Sequence, residues 1–514
     1  MSDHTGISNK LKSVDRDTFA QLLRAEFIRF RTVRSWMISL GAVVISLVLL
    51  SFAVALASHA SNIAISTGPD GEMVSDTYTF VHQPLVGDGT LTTRVTSLSG
   101  MYTPLSNSSG NGFGVSSTSQ LGSQLRAGLA PWAKAGIILE PDTKQGTDYA
   151  ALMVTGSHGV QMQYNYTHDS PGLTGSVGPS SPRWLRITRA GDSIAGYDST
   201  DGVHWSKMST IRLAGLPHSV QIGLFVTSPV YFPAGSNNGT PSVATANFDR
   251  TSTQGDLPYS FWTGDTVAGS YPSLSSGLTW RQHSANAFTI SGSGDIAPLV
   301  GNIVTTNWSG ACIVDGIIVG LLFLIVFAAS FATSEYRRGA SGALPQRALA
   351  AKAIVIGSLA FAAGTIAIAL AEVITRHVLA ANGINLFPQS GLVTAQVIFG
   401  TGLFLGLAAV LVVALGSMLR RSVVTIVAGI VLLIVPGVIV TALPADPNSW
   451  LMRFTPTAAF AIQANLPRSS LVADAYTIMN GYFPISPWGG LAVLAIYAVA
   501  ALGAAIWLLR YRRV

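Results

Sequence analysis

One long apolar segment near the start, a polar stretch from residue 58 to 310, and five further apolar segments set the pattern of this chain. An α-helix crosses the hydrocarbon core of a bilayer with roughly 20 consecutive apolar residues. The runs Met37–Ala57, Ala311–Ala332, Ala353–Ile374, Gly391–Leu419, Val423–Leu443 and Trp488–Leu509 all reach that length. Six spans are therefore expected, which returns both ends of the chain to one side and places the polar stretch on the other.

Within the polar stretch the period changes. From about Asp76 to Arg250, short alternating runs are broken by Gly, Pro, Ser, Asn and Asp, the pattern of strands and turns. Strands are expected over Leu91–Val95, Ala135–Leu139, Val160–Tyr164, Trp184–Arg189, Ser193–Tyr197 and Val220–Val226, with a turn at Ser199–Gly202. Many evenly spaced strands without helical periodicity indicate a β-sandwich. Residues from about Thr251 to Trp308 read as a stalk or as extra strands of the same domain. The expected fold is thus an α-helical membrane bundle of six transmembrane helices with an all-β sandwich, residues 58–310, inserted between helices 1 and 2.

Charge sets the expected orientation, because cytoplasmic flanks of membrane helices accumulate Lys and Arg. One set of flanks carries Lys10, Lys12, Arg16, Arg24, Arg29, Arg31, Arg34, Arg337, Arg338, Arg347, Lys352, Arg420, Arg421, Arg510, Arg512 and Arg513. The opposite short loops carry only Arg376, Arg453 and Arg468. Both termini are expected in the cytoplasm of a multi-pass plasma-membrane protein, with the sandwich outside. Composition agrees, with 49% hydrophobic and only 11% charged residues. The net charge of +6 conceals an asymmetry: residues 58–308 hold 11 basic against 15 acidic groups, the remainder 19 against 9. The positive charge therefore hugs helix ends beside anionic lipid headgroups, and nothing in it points to nucleic acid.

The single cysteine, Cys312, excludes an intrachain disulfide framework and reads as a small apolar residue. Ala55-Leu56-Ala57 has the spacing of a signal-peptide cleavage site, but the apolar run before it exceeds a signal core, so an uncleaved anchor is expected. Ahead of it, residues 1–36 contain an amphipathic segment, with Thr18 and Gln21 spaced as a capping box. Its apolar residues Phe19, Leu22, Leu23, Phe27 and Phe30 alternate with Arg24, Arg29, Arg31 and Arg34, as in an interfacial helix.

The ordered segments GDGTLTTRV, WAKAGIILE, WLRITRAGDSIAGYDSTDGVHW, VQIGLFVTS and ATANFD, between residues 87 and 249, resemble the concanavalin A-like lectin/glucanase superfamily. The resemblance implies a jelly-roll-like sandwich and a carbohydrate or glycoconjugate surface. Trp132, Trp184 and Trp205 are the aromatic residues able to stack on a sugar, with packing in the sandwich as the competing reading. Glycosidase chemistry needs two spaced carboxylates. Only two glutamates, Glu72 and Glu140, occur here, without a paired-carboxylate strand motif, while Asp198 and Asp201 read as hairpin-turn residues.

Three membrane-associated stretches resemble the permease subunits of type-2 ATP-binding-cassette exporters of high-GC Gram-positive bacteria. They are LLRAEFIRFRTVRSW from Leu22, ATSEYRRG with LPQRALAAKA from Ala332 to Ala353, and LGSMLRRSVVTIVAGIVLLIVP with WLMRFTPTAAFAI from Leu415 to Ile462. The resemblance implies no cofactor on this chain: ATP and Mg sit on separate ATPase subunits, and the chain has no Gly-Lys dipeptide from which to build a phosphate loop. It implies that loop 333–352 docks on the ATPase through Glu335, Tyr336, Arg337, Arg338, Pro345, Gln346 and Arg347. It also implies a second permease copy as partner, in a homodimer, and re-entrant helices over residues 444–487. Candidate gate or pathway residues are Asp315, Glu372, Pro436, Gly437, Trp450 and Phe454. Glu372 stands four residues before Arg376, the spacing of a helical ion pair, which is the competing structural reading. The expected function is ATP-driven export of a lipid-like, peptide or drug substrate. The alternative is a membrane-anchored lectin-like sensor or envelope-glycan binding protein.

Overall fold

The computed structural model describes residues 19–57, 66–104, 125–233, 239–259, 261–267, 279–299, 309–337, 346–384, 386, 389–442, 450–466, 468–475 and 481–511. They fall into two compact units: a helical one, built from both ends of the chain, and a β one, residues 62–304 with 467–476.

Among the described residues of the helical unit, six helices are long and apolar enough to cross a membrane. They run Arg34–Ala57, Ser309–Arg337, Gln346–Ala381, Gly391–Leu419, Ser422–Leu433 continued by Val435–Ala442, and Pro487–Tyr511. One precedes the β unit and five follow most of it. Small residues let these helices approach closely, the usual device where lipid removes the hydrophobic drive for helix pairing. A Cβ on Gly316 would come 2.7 Å from the Leu47 carbonyl oxygen, and one on Gly406 would come 2.9 Å from that of Gly357. Spans one and two pack through the first contact, spans three and four through the second. Spans one, five and six leave large apolar side chains outward, among them Ile38, Leu49, Val423, Val427, Ile496 and Val499.

Span five breaks where the sequence places Pro436. Proline has no N–H, so the carbonyl of Leu432 loses its helical donor. The Thr457 hydroxyl donates to the Leu432 and Leu433 carbonyls, each at 3.4 Å, and the helix is interrupted at Ile434. Thr457 belongs to a 3-10 segment, Pro456–Gln463, in which every residue is buried. Such irregular backbone is tolerated within an apolar bundle only when packed in protein.

The β unit is organised by one 25-residue strand, Tyr78–Tyr102. The strand expected over Leu91–Val95 is part of it, and the longer strand bends through Val-Gly-Asp-Gly at residues 86–89, helped by Gly87 at φ 68°. Before the bend it pairs with Ser219–Thr227 and Thr263–Val267; beyond it, with Arg183–Ala190 and Ser242–Asp256. The first half extends through Lys134–Glu140, Ala150–Thr155, Val160–Tyr164 and His168–Pro171. The second extends through Ser193–Ser199 and Ser206–Arg212 on one side, and Ala287–Gly292 and Trp280–Ser284 on the other. Inward residues of both halves, such as Val81, Leu85, Leu91, Ile137, Leu152, Ile187, Ile222 and Phe248, share one apolar core. A three-stranded sheet, Ser66–Thr67, Met73–Asp76 and Ile296–Pro298, contributes Val74 and Ile296 to a second core with Tyr78, Phe80, Ile138, Tyr149, Tyr166 and Phe225.

Beyond Thr251, the described residues Thr263–Val267, Trp280–Ser284, Ala287–Gly292 and Ile296–Pro298 are strands of these sheets. Thr18 lies outside the described residues. Asp198 is not a turn residue: it ends the strand Ser193–Ser199, buried, and accepts from the Leu173 amide at 2.6 Å. Asp201 does occupy the turn and accepts from the amides of Val203 and His204, each at 2.8 Å.

Candidate functional site

The helix over residues 19–32 is fixed by its apolar face, with Phe30 edge-on to Phe327 and Trp36, just beyond it, edge-on to Phe331 at 4.6 Å between ring centres. Between them, the Arg29 guanidinium donates to the Ser334 hydroxyl at 3.2 Å and lies over the Trp36 and Phe331 rings at 5.7 and 5.9 Å. Lys352, 1% exposed, brings its ammonium 5.5 Å from the same Phe331 ring. Each cation is attracted by the ring quadrupole near the ~6 Å limit of that interaction, while the two like charges oppose one another.

Ser334 closes span two and Lys352 lies in the second turn of span three, so this cluster grips both flanks of the loop expected to dock. Within loop 333–352, Glu335, Tyr336 and Arg337 form the last turn of span two, Gln346 and Arg347 open span three, and Arg347 is exposed. Arg338 and Pro345 lie outside the described residues. Sequence reasoning passed over Arg29, Phe331 and Lys352 as working residues; the available signal was a lysine one turn inside an apolar run.

The gate candidates fall on spans two, three and five and on the segment after span five. Asp315 sits in the second turn of the Ser309–Arg337 helix. Glu372, buried in span three, accepts from Arg376 Nε at 2.5 Å, the ion pair its spacing suggested. Pro436 and Gly437 stand at the break in span five, where Gly437 faces the Thr457 methyl. Trp450 and Phe454 are 54% and 67% exposed, and the Phe454 carbonyl accepts from the Tyr497 hydroxyl at 3.0 Å.

The three tryptophans singled out for sugar stacking, Trp132, Trp184 and Trp205, each have a protein group against a ring face. His158 stacks on Trp132 at 4.0 Å with a 14° tilt. The Arg186 guanidinium lies 3.8 Å from the Trp205 ring centre. Trp184 carries Arg94 and Arg250 at 5.6 and 5.7 Å, with Gly202 close against the ring. A groove of about 530 Å³, lined by Tyr164, His168, Asp169 and Arg212 among others, contains none of the three.

A carboxylate pair that the sequence pattern did not disclose lies between the main sheet and the three-stranded sheet. Glu140 accepts from the Tyr78 hydroxyl at 2.5 Å, and Asp76 accepts from the Tyr166 hydroxyl at 2.7 Å and the Gly146 amide at 2.9 Å. Burial pushes the Asp76 carboxyl from 3.8 up to about 6 against the lowering effect of those two donors. Burial, with help from the neighbouring Asp76, pushes Glu140 well up, and burial beside Glu140 and Asp76 does the same to the Tyr78 phenol. Lys134, fully buried, donates to Asp295 at 2.7 Å; burial raises the Asp295 carboxyl although Lys134 draws it down. Asp76 and Glu140 are only 4% and 2% exposed, so as placed they hold the two sheets together and meet no solvent-borne substrate. Among the described residues no cluster of three or more His, Cys, Asp or Glu is arranged to hold a metal.

No family model and no curated protein matches the chain. Among solved structures, the chain is similar to a functionally unknown protein from Saccharomyces cerevisiae, at 14% identity over 39% of this chain and 85% of that one, with a TM-score of 0.23. It is also similar to scytalido-glutamic peptidase with a transition-state analogue inhibitor, at 10% identity over 42% and 98% of the two chains and a TM-score of 0.26. A third is the GH43 protein BlXynB of Bacillus licheniformis, at 12% identity over 34% and 28%, with a TM-score of 0.17.

Proposed function

We propose that this chain is the permease subunit of an ATP-driven exporter of the type-2 ATP-binding-cassette class, moving a lipid-like, peptide or drug substrate across the plasma membrane. The observation that carries the reading is the clamp of Arg29 and Lys352 on Phe331 at the two flanks of loop 333–352. A push on that loop from an ATPase subunit passes through rigid contacts to the 19–32 helix, span two and span three together, which is what coupling requires.

The six long apolar helices and the basic bias of one set of loops support a multi-pass arrangement with both termini cytoplasmic and the β unit outside. ATP and Mg belong to the separate ATPase subunits, and a second copy of this chain completes the pathway. The test is purification from native membranes with whatever ATPase accompanies the chain. Hydrolysis by that complex is expected to fall at least tenfold in Arg337→Ala/Arg338→Ala with the subunits still associated. Isolation with no nucleotide-hydrolysing partner, or hydrolysis indifferent to these changes, would refute the proposal. Protease protection in sealed vesicles tests the orientation separately.

A further inference from the structure

The outward face of the sheet half formed beyond residue 89 carries a cationic patch. Along Tyr78–Tyr102, Leu91, Thr93 and Val95 point into the core, leaving Thr90, Thr92 and Arg94 outward; on the neighbouring strand Leu185 and Ile187 point in and Trp184, Arg186 and Thr188 point out. Register sets Arg94 beside Trp184, Thr92 beside Arg186, and Arg94 beside Asp249 on the other flank. Arg186 stacks on Trp205 at 3.8 Å and donates to the Thr92 hydroxyl at 3.2 Å. Arg94 forms a two-pronged pair with Asp249 and leans over Trp184.

Arg250 is the telling residue. The pairing slips between Asp249 and Ser252, and Arg250 takes φ 50°, a left-handed conformation that costs a side-chain-bearing residue about 1 kcal/mol or more. That bulge turns an exposed guanidinium over Trp184, 5.7 Å from its ring centre, where it gains no burial. Bulges of this kind re-aim a side chain.

Among the described residues, neither Arg186 nor Arg250 forms an ion pair, and the nearby acids are already engaged, Asp249 with Arg94 and Asp201 with His204. A guanidinium lying on an indole keeps its in-plane N–H groups available, the fork that fits phosphate or carboxylate. Around the patch the same face is paved with hydroxyls, including Thr90, Thr188, Thr245, Thr289 and Ser291. Arg94, Trp184 and Arg186 are half-buried and Arg250 is exposed, and the stretch around them, residues 58–308, is net acidic, so the cationic patch is local.

We propose that this face binds an acidic glycan, an extended hydroxyl-rich chain bearing phosphate or carboxylate groups, with Arg186 and Arg250 as its anion contacts. Charge complementarity selects the occupant: the guanidiniums answer the anions and the threonine and serine rows answer the sugar hydroxyls. Neutral sugars gain nothing from the guanidiniums, and the stacking faces they would use on Trp184 and Trp205 already carry arginines. The proposal concerns the β unit alone and does not rest on the transport reading.

The experiment places the full chain in nanodiscs of uncharged lipid and measures binding of three polymers with one backbone: dextran, dextran phosphate and carboxymethyl dextran. At least one charged form is expected to bind at least tenfold tighter than dextran, with affinity falling as salt rises. Arg186→Gln and Arg250→Gln should each weaken it about tenfold, the worth of one charge-assisted contact, while Arg186→Lys loses less. Unchanged melting temperatures of the variants show that the fold is intact. Equal binding of neutral dextran, or charged-dextran binding indifferent to both glutamine substitutions, would overturn the proposal. So would arginine-dependent capture by anionic lipid vesicles without charged-dextran binding, which would make the occupant a membrane surface.

Discussion

Replacing Asp76 with asparagine tests the electrostatics of the buried carboxylate layer. In the folded protein the Asp76 carboxyl titrates at about 6, against 3.8 for the ordinary group. A shift of about 2 units at 1.36 kcal/mol each gives close to 3 kcal/mol. The sign follows from proton counting: between pH 4 and 6 the folded state holds a proton that the unfolded chain has released, so stability falls as pH rises. The favourable contribution is complete below 3.8 and gone above about 6. Asp76→Asn removes the charge while keeping an acceptor for Tyr166 and the Gly146 amide, so its stability should exceed that of the parent at pH 7.5 and approach it at pH 4.

Hydrogen exchange over residues 66–76 and 296–299, read as local opening free energy between pH 4 and 7.5, reports this without unfolding the helical unit. The pH slope should drop by about one proton in the variant. Glu140, also raised by burial, leaves a residual slope of the same sign. Local stability that rises with pH in the parent, or a slope untouched by the substitution, would show that Asp76 is ionised and well stabilised in place, and that the reasoning is wrong.

Lys134→Met should cost about 3–5 kcal/mol by leaving Asp295 buried without its cation, and adding Asp295→Asn should return part of it; denaturant midpoints of the β unit measure both. Gly490→Ala places a methyl 2.1 Å from the Ala458 carbonyl oxygen, so the last helix must move off the Pro456–Gln463 segment; a loss of about 1–3 kcal/mol is expected in detergent melting curves. Arg29→Ala removes the Ser334 hydrogen bond and both ring contacts; an ATPase partner should still co-purify, with its hydrolysis stimulated less by the permease.

Legibility followed the range of the forces involved. The six apolar runs are local statements about solvent, and the helices fall on them, the third extending seven residues beyond the expected Ala353–Ile374 at each end. Strands with clean alternation, such as Trp184–Arg189, were equally readable, because the core selects every second residue. What escaped were partnerships set by the folded chain. Glu140 reads as a solitary glutamate, yet the fold brings Asp76 near it from 64 positions upstream. Lys134 and Asp295 stand 161 positions apart. The strand expected over Leu91–Val95 is a short piece of Tyr78–Tyr102, because the pairing that carries the chain through residues 86–89 comes from partners distant in sequence. Trp184, Trp205 and Trp132 were legible as aromatic anchors, but the arginines and the histidine laid on their rings were not.

The entering strand Met73–Asp76 and the departing strand Ile296–Pro298 lie hand in hand, Val74 opposite Pro298 and Asp76 opposite Ile296. A domain with neighbouring ends can be spliced into a host chain, or removed from it, with little demand on the host's geometry.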